Sequence, residues 1–476
     1  MSYDKFFIGG EWVEPAGDEV EDITNPATEE VVARIPAATV KDAERALLAA
    51  RQAFDEGPWP HLSAARRADG VRRLAAAFDS RIEAMTQAYT AESGAPIGAS
   101  RAMHERVAGY WTRAADLATY FSFEELRGWP NGDGRARRIL APAGVGVGIQ
   151  PFNGPVSTAA QKAGAALVAG CTMVLKPAIE NPTTMMLLAE AVAEANLPPG
   201  VLNIVPGRAE VGAYLAGSPL TDKVSFTGST AAGTAIMQAC APNITRMALE
   251  LGGKSAALVT EDVDLEAIAA PLMWGAIRSC GQICYATTRV LVARPQYEEM
   301  VQRLADAMRQ VRIGDPLDPA TELGPLISSR QRDRVQAIVD GAVAEGVRLV
   351  TGGRRPATQT RGWYFEPTLF AAESNAVSVA QQEIFGPVLT VVPYGGIDEA
   401  VALANDSDYG LGGAVFCRDV DRAVAIARRI RSGHVYINTT GAFTGQPFGG
   451  FKKSGFDREG GPEGLLSWLE PQMIFS

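Results

Sequence analysis

The sequence predicts an α/β protein with a doubly wound parallel sheet, and three observations lead to that prediction. Between residues 143 and 260, short apolar segments alternate with helical segments. A second alternating block runs from about residue 255 to residue 450. The 476 residues are too many for one hydrophobic core, and about 150 residues per domain suggests roughly three modules. Because such alternation implies parallel pairing through right-handed crossovers, two α/β domains joined near residue 252 are expected.

Taken in order, the elements begin with short strands and turns in about the first 40 residues. From Val40 to about Ser80, apolar residues recur at three- and four-residue spacing, which predicts helices. The Gly-, Pro- and Asn-containing segment 128–138 predicts a surface loop or a projecting arm. The first block then contains the strands GVGVGIQP, TMVLKP, VLNIVPG, KVSFTG and RMALEL, with helices at 155–170, 182–196, 209–217 and 229–241. The second block opens with the strand SAALVT and the helix DLEAIAAPLMWGAI.

Composition and charge argue against several classes of protein. The net charge is −10 and there is no long basic run, which argues against a nucleic-acid or membrane partner. The five cysteines are sparse and lack metal-ligand spacing, so neither a disulfide framework nor a metal site is expected. The N-terminus does not resemble a secretory signal, and the apolar stretches are shorter than the ~20 residues of a membrane span. A cytoplasmic enzyme is the resulting expectation.

Two glycine-containing segments follow predicted strands of the first block. There is no GxGxxG, but FTGSTAAG places Gly228 and Ser229 at a helix start, where free N–H groups favour a phosphate. Any strand–helix turn can have such a sequence. In LELGGKS (249–255), Glu250 ends an apolar strand beside two glycines. Apolar surroundings raise the pKa of a carboxyl group toward values useful to a general base, and the alternative is a carboxylate that caps a turn.

Cys284 is the candidate nucleophile. It lies in CGQICYATTR (280–289), after a predicted helix and before a predicted strand. Helix-end dipoles and a glycine-containing turn can activate a thiol. Most free cysteines are instead small buried hydrophobic residues, so the motif alone leaves both interpretations open.

These segments belong to a longer series of motifs. In chain order the series is PFNGP (151–155), VLKPAIENP (174–182), FTGSTAAG (226–233), LELGGKS, GQIC, EIFGPV (383–388), YGLGGAVF (409–416), SGHVYIN (432–438) and PFGGFKKSGFDREGG (447–461). In order and spacing it resembles the aldehyde dehydrogenase superfamily over nearly the whole chain. The resemblance implies a Rossmann-type cofactor domain, an α/β catalytic domain and a small β oligomerisation arm. These would span residues 1–121 with 143–252, residues 253–465, and residues 122–142 with 466–476.

The same resemblance assigns chemical roles. Cys284 would attack the aldehyde carbon to form a thiohemiacetal, whose oxyanion the Asn153 amide and the Cys284 N–H would hold. Hydride would pass to the nicotinamide, and Glu250 would activate the water that hydrolyses the thioester. Glu459 resembles a second acid that assists proton movement, the alternative being a solvated surface carboxylate.

The cofactor site is also implied by resemblance. Lys176 would bind the adenine-ribose hydroxyls, Ser229 the pyrophosphate and Glu383 the nicotinamide ribose. The full predicted set is Gln150, Pro151, Phe152, Lys176, Ile179, Gly207, Gly228, Ser229, Leu251, Gly252, Glu383 and Phe385. Many NAD-preferring members carry a glutamate where this chain has Ile179. Isoleucine neither accepts a hydrogen bond nor repels a 2′-phosphate, so NAD is favoured and NADP is tolerated.

Departures from the family pattern bear on the substrate. Phe152 replaces a common tryptophan, and Gly154 replaces a bulky aromatic residue that narrows the aldehyde tunnel. A wider pocket would admit an aromatic or branched aldehyde. Arg278 is a candidate partner for a substrate carboxylate or hydroxyl, the alternative being a solvated side chain. The predicted substrate-binding set is Gly154, Thr158, Gln161, Arg278, Ile283, Tyr285 and Phe448.

Three other functions are alternatives to hydrolytic aldehyde oxidation. Coenzyme-A-acylating relatives lack the base glutamate, so Glu250 argues against them. A catalytically silent relative would have lost Cys284, Glu250 or Asn153, and a reductive acyl-phosphate enzyme would not carry the full series of motifs. The apolar tail SWLEPQMIFS predicts a homodimer or homotetramer, because a partner subunit would cover its edge.

Overall fold

Strands and helices alternate along the chain in a computed structural model that describes residues 2–128, 135–441 and 445–475. The first part contains β1 (Phe6–Ile8), β2 (Glu11–Val13), β3 (Val20–Thr24), β4 (Val31–Pro36), α1 (Val40–Asp55), α2 (Ala64–Asp79), α3 (Ile82–Ser93), α4 (Ile97–Tyr120), β5 (Glu124–Gly128), β6 (Arg135–Pro142), β7 (Val145–Ile149), α5 (Pro155–Ala169), β8 (Thr172–Lys176), α6 (Thr183–Glu194), β9 (Leu202–Ile204), α7 (Ala209–Gly217), β10 (Lys223–Thr227), α8 (Thr230–Cys240) and β11 (Arg246–Glu250).

The second part follows the same alternation. It contains β12 (Ala256–Val259), α9 (Leu265–Ile277), β13 (Arg289–Ala293), α10 (Tyr297–Arg309), α11 (Ser329–Ala344), β14 (Arg348–Thr351), β15 (Thr368–Ala371), α12 (Ser378–Gln381), β16 (Val388–Tyr394), α13 (Ile397–Asn405), β17 (Tyr409–Gly410), β18 (Gly412–Phe416), α14 (Val420–Ala427), β19 (His434–Ile437), β20 (Phe451–Lys452), β21 (Gly455–Phe456), α15 (Gly461–Leu466) and β22 (Leu469–Phe475). Within the described residues, no helix combines the length and apolar character that a membrane span needs.

The first sheet has eight strands in the order β2-β1-β9-β8-β7-β10-β11-β21. The five strands from β9 to β11 are parallel, and the edge strands pair antiparallel. Every residue of β7 and β8 is buried, as expected where helices cover both faces of a parallel sheet. The chain runs outward from β7 in both directions, so the strand order reverses there. Ligands of doubly wound sheets bind beyond the carboxyl ends of the strands at such a point.

The second sheet has seven strands in the order β14-β15-β16-β13-β12-β18-β19. All of its pairs are parallel except β14 with β15. Residues 251–255 connect it to the first sheet, between β11 and β12. The α/β fold with two mainly parallel sheets, predicted from the alternation, is therefore confirmed.

A separate three-stranded antiparallel sheet has the order β22-β6-β5. It joins the C-terminal segment to the segment that follows α4, with Phe475 opposite Ala136. All residues of β5 are exposed, as are those of β22 after Leu469. This small sheet therefore has a large solvent-facing area.

Candidate active site

The carboxyl edge of the first sheet gathers residues from four separate motifs. Strands β7, β8, β10 and β11 end at Ile149, Lys176, Thr227 and Glu250, respectively. Since these strands are parallel, the segments that follow them lie along one edge. The Gln150–Asn153 segment, FTGSTAAG and LELGGKS therefore meet there, as their predicted positions after strands require.

Cys284 reaches this edge from the second sheet through a turn of unusual backbone conformation. After α9, Ser279, Cys280 and Gly281 adopt φ values of 53°, 55° and 69°. A Cβ atom on Gly281 would overlap the Gly386 carbonyl, so only glycine fits. Left-handed conformations at the two other positions cost about 1 kcal/mol each, so surrounding contacts must hold the turn.

Two hydrogen bonds hold the turn before the nucleophile. The Asn153 side-chain amide donates to the Gln282 carbonyl at 2.8 Å. The Gln282 side-chain carbonyl accepts from the Ile327 backbone at 3.1 Å. Asn153 is itself fixed, because its own carbonyl accepts from the Tyr89 hydroxyl at 2.9 Å. The predicted oxyanion donor and the nucleophile turn are therefore in direct contact.

Cys284 lies where a neutral thiol is favoured. Burial raises its pKa, and the nearby carboxylates of Glu250 and Glu383 raise it further. A Cβ on Gly253 would overlap the Cys284 carbonyl, which shows how closely LELGGKS approaches the nucleophile. Ionisation of the thiol therefore needs a base or a compensating positive charge.

Glu250 is a buried carboxyl group whose two oxygens make no hydrogen bond within the described residues. Only 3% of the residue is exposed. Burial raises its pKa well above the ordinary value, and Glu459 raises it further, while Lys162 and Arg458 oppose both effects. A Cβ on Gly449 would lie 2.7 Å from one Glu250 oxygen, so glycine leaves that oxygen room. Such a carboxylate is a strong base once it ionises.

Glu459 is buried in an ion pair with Lys162, a residue of α5 that the sequence motifs did not single out. The Lys162 ammonium also donates to Thr227 at 2.8 Å and to Ser225 at 3.0 Å. The Ser225 hydroxyl donates to Glu459 at 2.7 Å. This polar network lies in the interior beside the pKa-shifted Glu250. The only signal in the sequence was a lysine inside the apolar run AAQKAGAALVAG.

The Lys176 side chain is buried at the end of β8, and its ammonium makes no hydrogen bond or ion pair within the described part of the chain. Burial lowers its pKa to about 8, and the charges of Glu180 and Glu210 partly oppose that shift. Ile179 is half-buried beside it, and a Cβ on Gly207 would crowd Val211 at 3.0 Å. A buried ammonium without a partner in the described chain fits the ribose hydroxyls of a dinucleotide.

The predicted pyrophosphate site lies at the start of α8, an 11-residue helix. The Ser229 hydroxyl caps it by accepting from the Ala232 backbone at 3.2 Å. The Gly228 N–H is occupied, because it donates to the Glu250 carbonyl at 3.0 Å. Leu251 packs against Gly233, whose Cβ would lie 2.6 Å from the leucine side chain. Backbone N–H groups in the first turn of α8 are therefore available to donate hydrogen bonds to an anion.

The remaining predicted cofactor residues surround Glu383. One Glu383 oxygen accepts from the Gly253 backbone at 3.1 Å, and a Cβ on Gly252 would overlap the carboxylate. Burial raises the pKa of Glu383. The Phe385 and Phe152 rings meet edge to face, 5.8 Å apart. Pro151 is half-buried, and the buried Gln150 amide has no hydrogen-bond partner in the described chain.

On the other side of Cys284, aromatic rings form a wall. The Tyr285 ring lies 5.8 Å from Phe448 and 6.1 Å from His434. His434 also meets Phe448 at 4.9 Å and Tyr436 at 5.1 Å. Burial lowers the pKa of His434 to about 4, so it is neutral near pH 7.

The other predicted substrate residues differ in their exposure and in the contacts they make. A Cβ on Gly154 would meet only Ser157, at 3.6 Å, so there is open space beside it. Thr158 bonds back to the Gly154 carbonyl at 3.1 Å, and Gln161 reaches Ser157 at 3.5 Å. Ile283 is half-buried, and Arg278 is exposed.

Comparison with known proteins places this arrangement in one family. The model of the aldehyde dehydrogenase family matches residues 12–474. Geranial dehydrogenase of Castellaniella defragrans is 42% identical over 476 residues, covering 100% of this chain and 99% of that protein. The crystal structure of Mycobacterium tuberculosis aldehyde dehydrogenase with NAD+ has a TM-score of 0.97 at 40% identity, covering 99% of this chain and 98% of that one. A mutant of aldehyde dehydrogenase C from Pseudomonas syringae, complexed with NAD+ and octanal, has a TM-score of 0.96 at 38% identity, covering 99% and 96%.

These matches extend over nearly the whole chain and agree with the motif series, so the resemblance is confirmed. None supports a catalytically silent protein. The chain belongs to the aldehyde dehydrogenase family, and it is an enzyme that oxidises aldehydes.

Proposed function

We propose that this chain oxidises an aldehyde to a carboxylic acid with NAD, with Cys284 as nucleophile and Glu250 as general base. The observation that carries the proposal is the contact between three motifs. LELGGKS touches the Cys284 backbone, and Asn153 is bonded to the turn before the cysteine. The presence of a buried, unpartnered Glu250 favours hydrolysis of the thioester over transfer to coenzyme A.

In the first step the Cys284 thiol releases its proton to solvent, and the sulfur attacks the carbonyl carbon. A C–S bond forms, and the carbonyl electron pair moves to oxygen. One N–H of the Asn153 amide is occupied by Gln282 at 2.8 Å, which leaves the second N–H free to donate to the oxyanion. Donors fixed before the reaction stabilise that charge without reorganisation. When bound, NAD accepts the hydride that leaves this carbon.

In the second step Glu250 takes a proton from water, which attacks the thioester carbon. The C–S bond breaks, and the Cys284 thiolate leaves. Because the Glu250 carboxylate has no hydrogen-bond partner in the described chain, both of its oxygens are free to face that water. The Lys162–Glu459 pair lies next to it and is our candidate for the group that accepts the proton afterwards.

The test compares Cys284→Ala with Cys417→Ala, which removes a buried thiol directly after β18 at a residue that has no proposed role. Cys284→Ala should abolish NADH formation with any aldehyde, while Cys417→Ala should retain it. Glu250→Gln should keep a burst of NADH from the first turnover and lose about 100-fold or more in the steady rate, because Glu250 is proposed as the base of the hydrolysis step and not of the attack by Cys284. A full steady rate in Glu250→Gln would show that another group is the base.

We infer a preference for NAD over NADP from the charges around Lys176. Glu180 and Glu210 both act on its ammonium, so a 2′-phosphate there would meet two carboxylates. An Arg330 ion pair at 3.3 Å neutralises only part of Glu180's charge. The residues that would hold NAD are Lys176, Gly207, Ser229 and Glu383.

The double variant Glu180→Gln/Glu210→Gln tests this preference. It should raise kcat/KM with NADP by roughly tenfold, since it removes two nearby repulsive charges. Glu56→Gln, on an exposed surface at the end of α1, is the control. Wild type that uses NADP as well as NAD would contradict the inference.

We also propose domain roles, an assembly and a cellular location for this protein. We assign the cofactor to residues 1–121 with 143–252, the nucleophile to 253–465, and oligomerisation to 122–142 with 466–476. The support for a dimer or tetramer is the exposed three-stranded sheet. The support for a cytoplasmic setting is that all five cysteines are free thiols. An aromatic or branched aldehyde remains our proposed substrate, supported by the open space at Gly154.

A further inference from the structure

The Gln150 side chain does not face the predicted cofactor site. Ile149, the residue before it, lies with Lys176 beside Gly212 of α7, where a Cβ on the glycine would be 3.6 Å and 3.5 Å from the two side chains. Because side chains alternate along a strand, Gln150 points to the other face of the first sheet. On that face a Cβ on Gly148 would lie 2.9 Å from the Gln150 amide nitrogen. The amide is therefore folded over Gly148.

Strand register places this amide beside the buried ion pair of the site. Gly148 is paired with Ser225 of β10, and paired residues of a sheet point to the same face. Neighbouring strands lie about 4.8 Å apart. The Ser225 hydroxyl donates to Glu459 at 2.7 Å and accepts from Lys162 at 3.0 Å. The Gln150 amide is thus one strand away from a group that bonds both members of the pair.

The proposed general base lies on the same face. Thr227 of β10, two positions beyond Ser225, is paired with Glu250 of β11. The Thr227 hydroxyl accepts from the Lys162 ammonium at 2.8 Å. Because a shift of two positions along a strand restores the face, Glu250 points to the same side as Ser225 and Gln150. The amide, the ion pair and the base therefore share the face that α5 covers with Lys162.

Two of these groups have unused hydrogen-bonding atoms. Both amide atoms of Gln150 and both carboxyl oxygens of Glu250 are buried, and none of the four has a hydrogen-bond partner in the described part of the chain. Glu250 is thus bonded to neither Glu459 nor Lys162, so a proton has no direct route between them. Only 2% of Gln150 is exposed. A buried amide is ordinarily bonded, either to protein or to an ordered water.

We propose that Gln150 is a positioning residue for thioester hydrolysis, and that its amide orients a water between Glu250 and the Lys162–Glu459 pair. The proposal rests on the proposed function, because it concerns the same hydrolysis step. After Glu250 takes a proton from the attacking water, its new O–H bond breaks and an O–H bond forms on the bridging water. That water gives one of its own protons to the Glu459 carboxylate. Glu250 returns to its ionised form, and the bridging water is not consumed.

An amide suits this role because it donates and accepts hydrogen bonds without changing its own protonation. A buried water needs about two to four polar partners. The Gln150 amide, the Thr227 hydroxyl and the two carboxyl groups would supply them. An apolar side chain at position 150 would leave the water with fewer partners. Proton transfer from Glu250 would then slow, whereas attack by Cys284 and hydride transfer would not.

The test is Gln150→Met, which keeps the length of the side chain and removes the amide. A single turnover with benzaldehyde or hexanal, whichever wild type oxidises faster, separates the steps: NADH absorbance follows hydride transfer, and rapid chemical quench follows release of the carboxylic acid. Hydride transfer and the KM for NAD should be unchanged. Acid release should slow by roughly tenfold, with a larger solvent deuterium isotope effect, because proton transfer now limits it. Gln310→Met, at an exposed position after α10, should change neither rate.

Other outcomes would assign Gln150 a different role. Slower hydride transfer or a raised KM for NAD, with acid release unchanged, would place its action on the cofactor and overturn the proposal. Equal losses in both steps would show a merely structural role and overturn it as well. Gln150→Leu is a second apolar variant with the same expected result, should Gln150→Met fold poorly. Gln150→Asn keeps an amide and should lose less of the acid-release rate than either.

A double-variant cycle separates this proposal from the proposed function. Unchanged acid release in Glu250→Gln would show that Glu250 is not the base, which is a failure of the proposed function. If Gln150 acts through Glu250, the double variant Gln150→Met/Glu250→Gln should release acid no more slowly than Glu250→Gln alone. Effects that multiply in the double variant would overturn the role of Gln150 while leaving Glu250 as the base.

Discussion

At the scale of single residues, Glu250 shows how a functional group destabilises the fold that holds it. Its carboxyl group is buried without a hydrogen-bond partner in the described chain, and its pKa is raised chiefly by burial. An unfolded glutamate has a pKa of about 4.3. Between that value and the raised folded value, the unfolded chain releases a proton that the folded chain retains. The group therefore leaves the free energy of unfolding unchanged at low pH. It lowers that free energy increasingly as the pH rises from the unfolded pKa toward the raised folded pKa.

Glu250→Gln should therefore stabilise the protein, increasingly so toward alkaline pH. Glutamine keeps the shape and cannot ionise, so the thermal midpoint of the variant should exceed that of wild type at pH 8 by more than at pH 5. Scanning calorimetry of both proteins measures the two differences. Glu11→Gln, at an exposed position of β2, is the matched control. A difference that does not grow with pH would show that the folded carboxyl titrates normally.

At the scale of elements, glycines set the distance between the two sheets at the site. The linker after β11 approaches the nucleophile so closely that a Cβ on Gly253 would overlap the Cys284 carbonyl and lie 3.3 Å from Leu411. Because the obstacle is backbone rather than a flexible side chain, the nucleophile turn would have to move.

Gly253→Ala should lower kcat by roughly 100-fold, the cost expected when a reacting group moves by about 1 Å. Gly341→Ala in α11 is the control, since a Cβ there meets nothing within 4 Å. The control should keep its activity and gain about 0.5 kcal/mol or more in stability, because glycine is unfavourable inside a helix. Steady-state kinetics and denaturant midpoints measure both effects, and wild-type kcat in Gly253→Ala would contradict the expected displacement.

Element boundaries could be predicted where local residues set them. The predicted helix 209–217 coincides with α7, and 155–170 differs from α5 by one residue. Pro155 fits the first turn of α5, and Gly170 ends it at φ +103°. These signals lie within a few positions of the boundary, so the sequence alone contains them.

Contacts between distant segments could not be predicted in this way. The Lys162–Glu459 pair joins residues 297 positions apart, and the hydrogen bond from the Asn153 amide to the Gln282 carbonyl joins residues 129 positions apart. Neither contact produces a periodic pattern in the sequence, because each depends on how helices and loops pack on the folded sheet. The family resemblance identified Cys284, Glu250, Asn153 and Glu459, but Lys162 lies outside its motifs.

At the scale of the whole molecule, average charge conceals local charge. A net charge of −10 gives no information about the buried Lys162–Glu459 ion pair beside Glu250. Average hydropathy likewise gives no information about the exposed apolar residues of the three-stranded sheet. Ile474 of β22 and Leu126 of β5 are 46% and 59% exposed, and both lie opposite Arg137 of the central strand β6, so their side chains share one face of the sheet.

Ile474→Glu should therefore weaken assembly. If a partner subunit covers this sheet, a buried charge without a partner would cost several kcal/mol at the interface, and the sedimentation coefficient should fall toward that of the monomer. Met473→Glu adds the same charge at the neighbouring position of β22, on the opposite face of the sheet, and tests whether charge alone is responsible. Circular dichroism should show that both variants keep their secondary structure. A wild-type protein that sediments as a monomer at micromolar concentration would rule out the arm as an assembly surface, and unchanged sedimentation of Ile474→Glu would place the interface elsewhere.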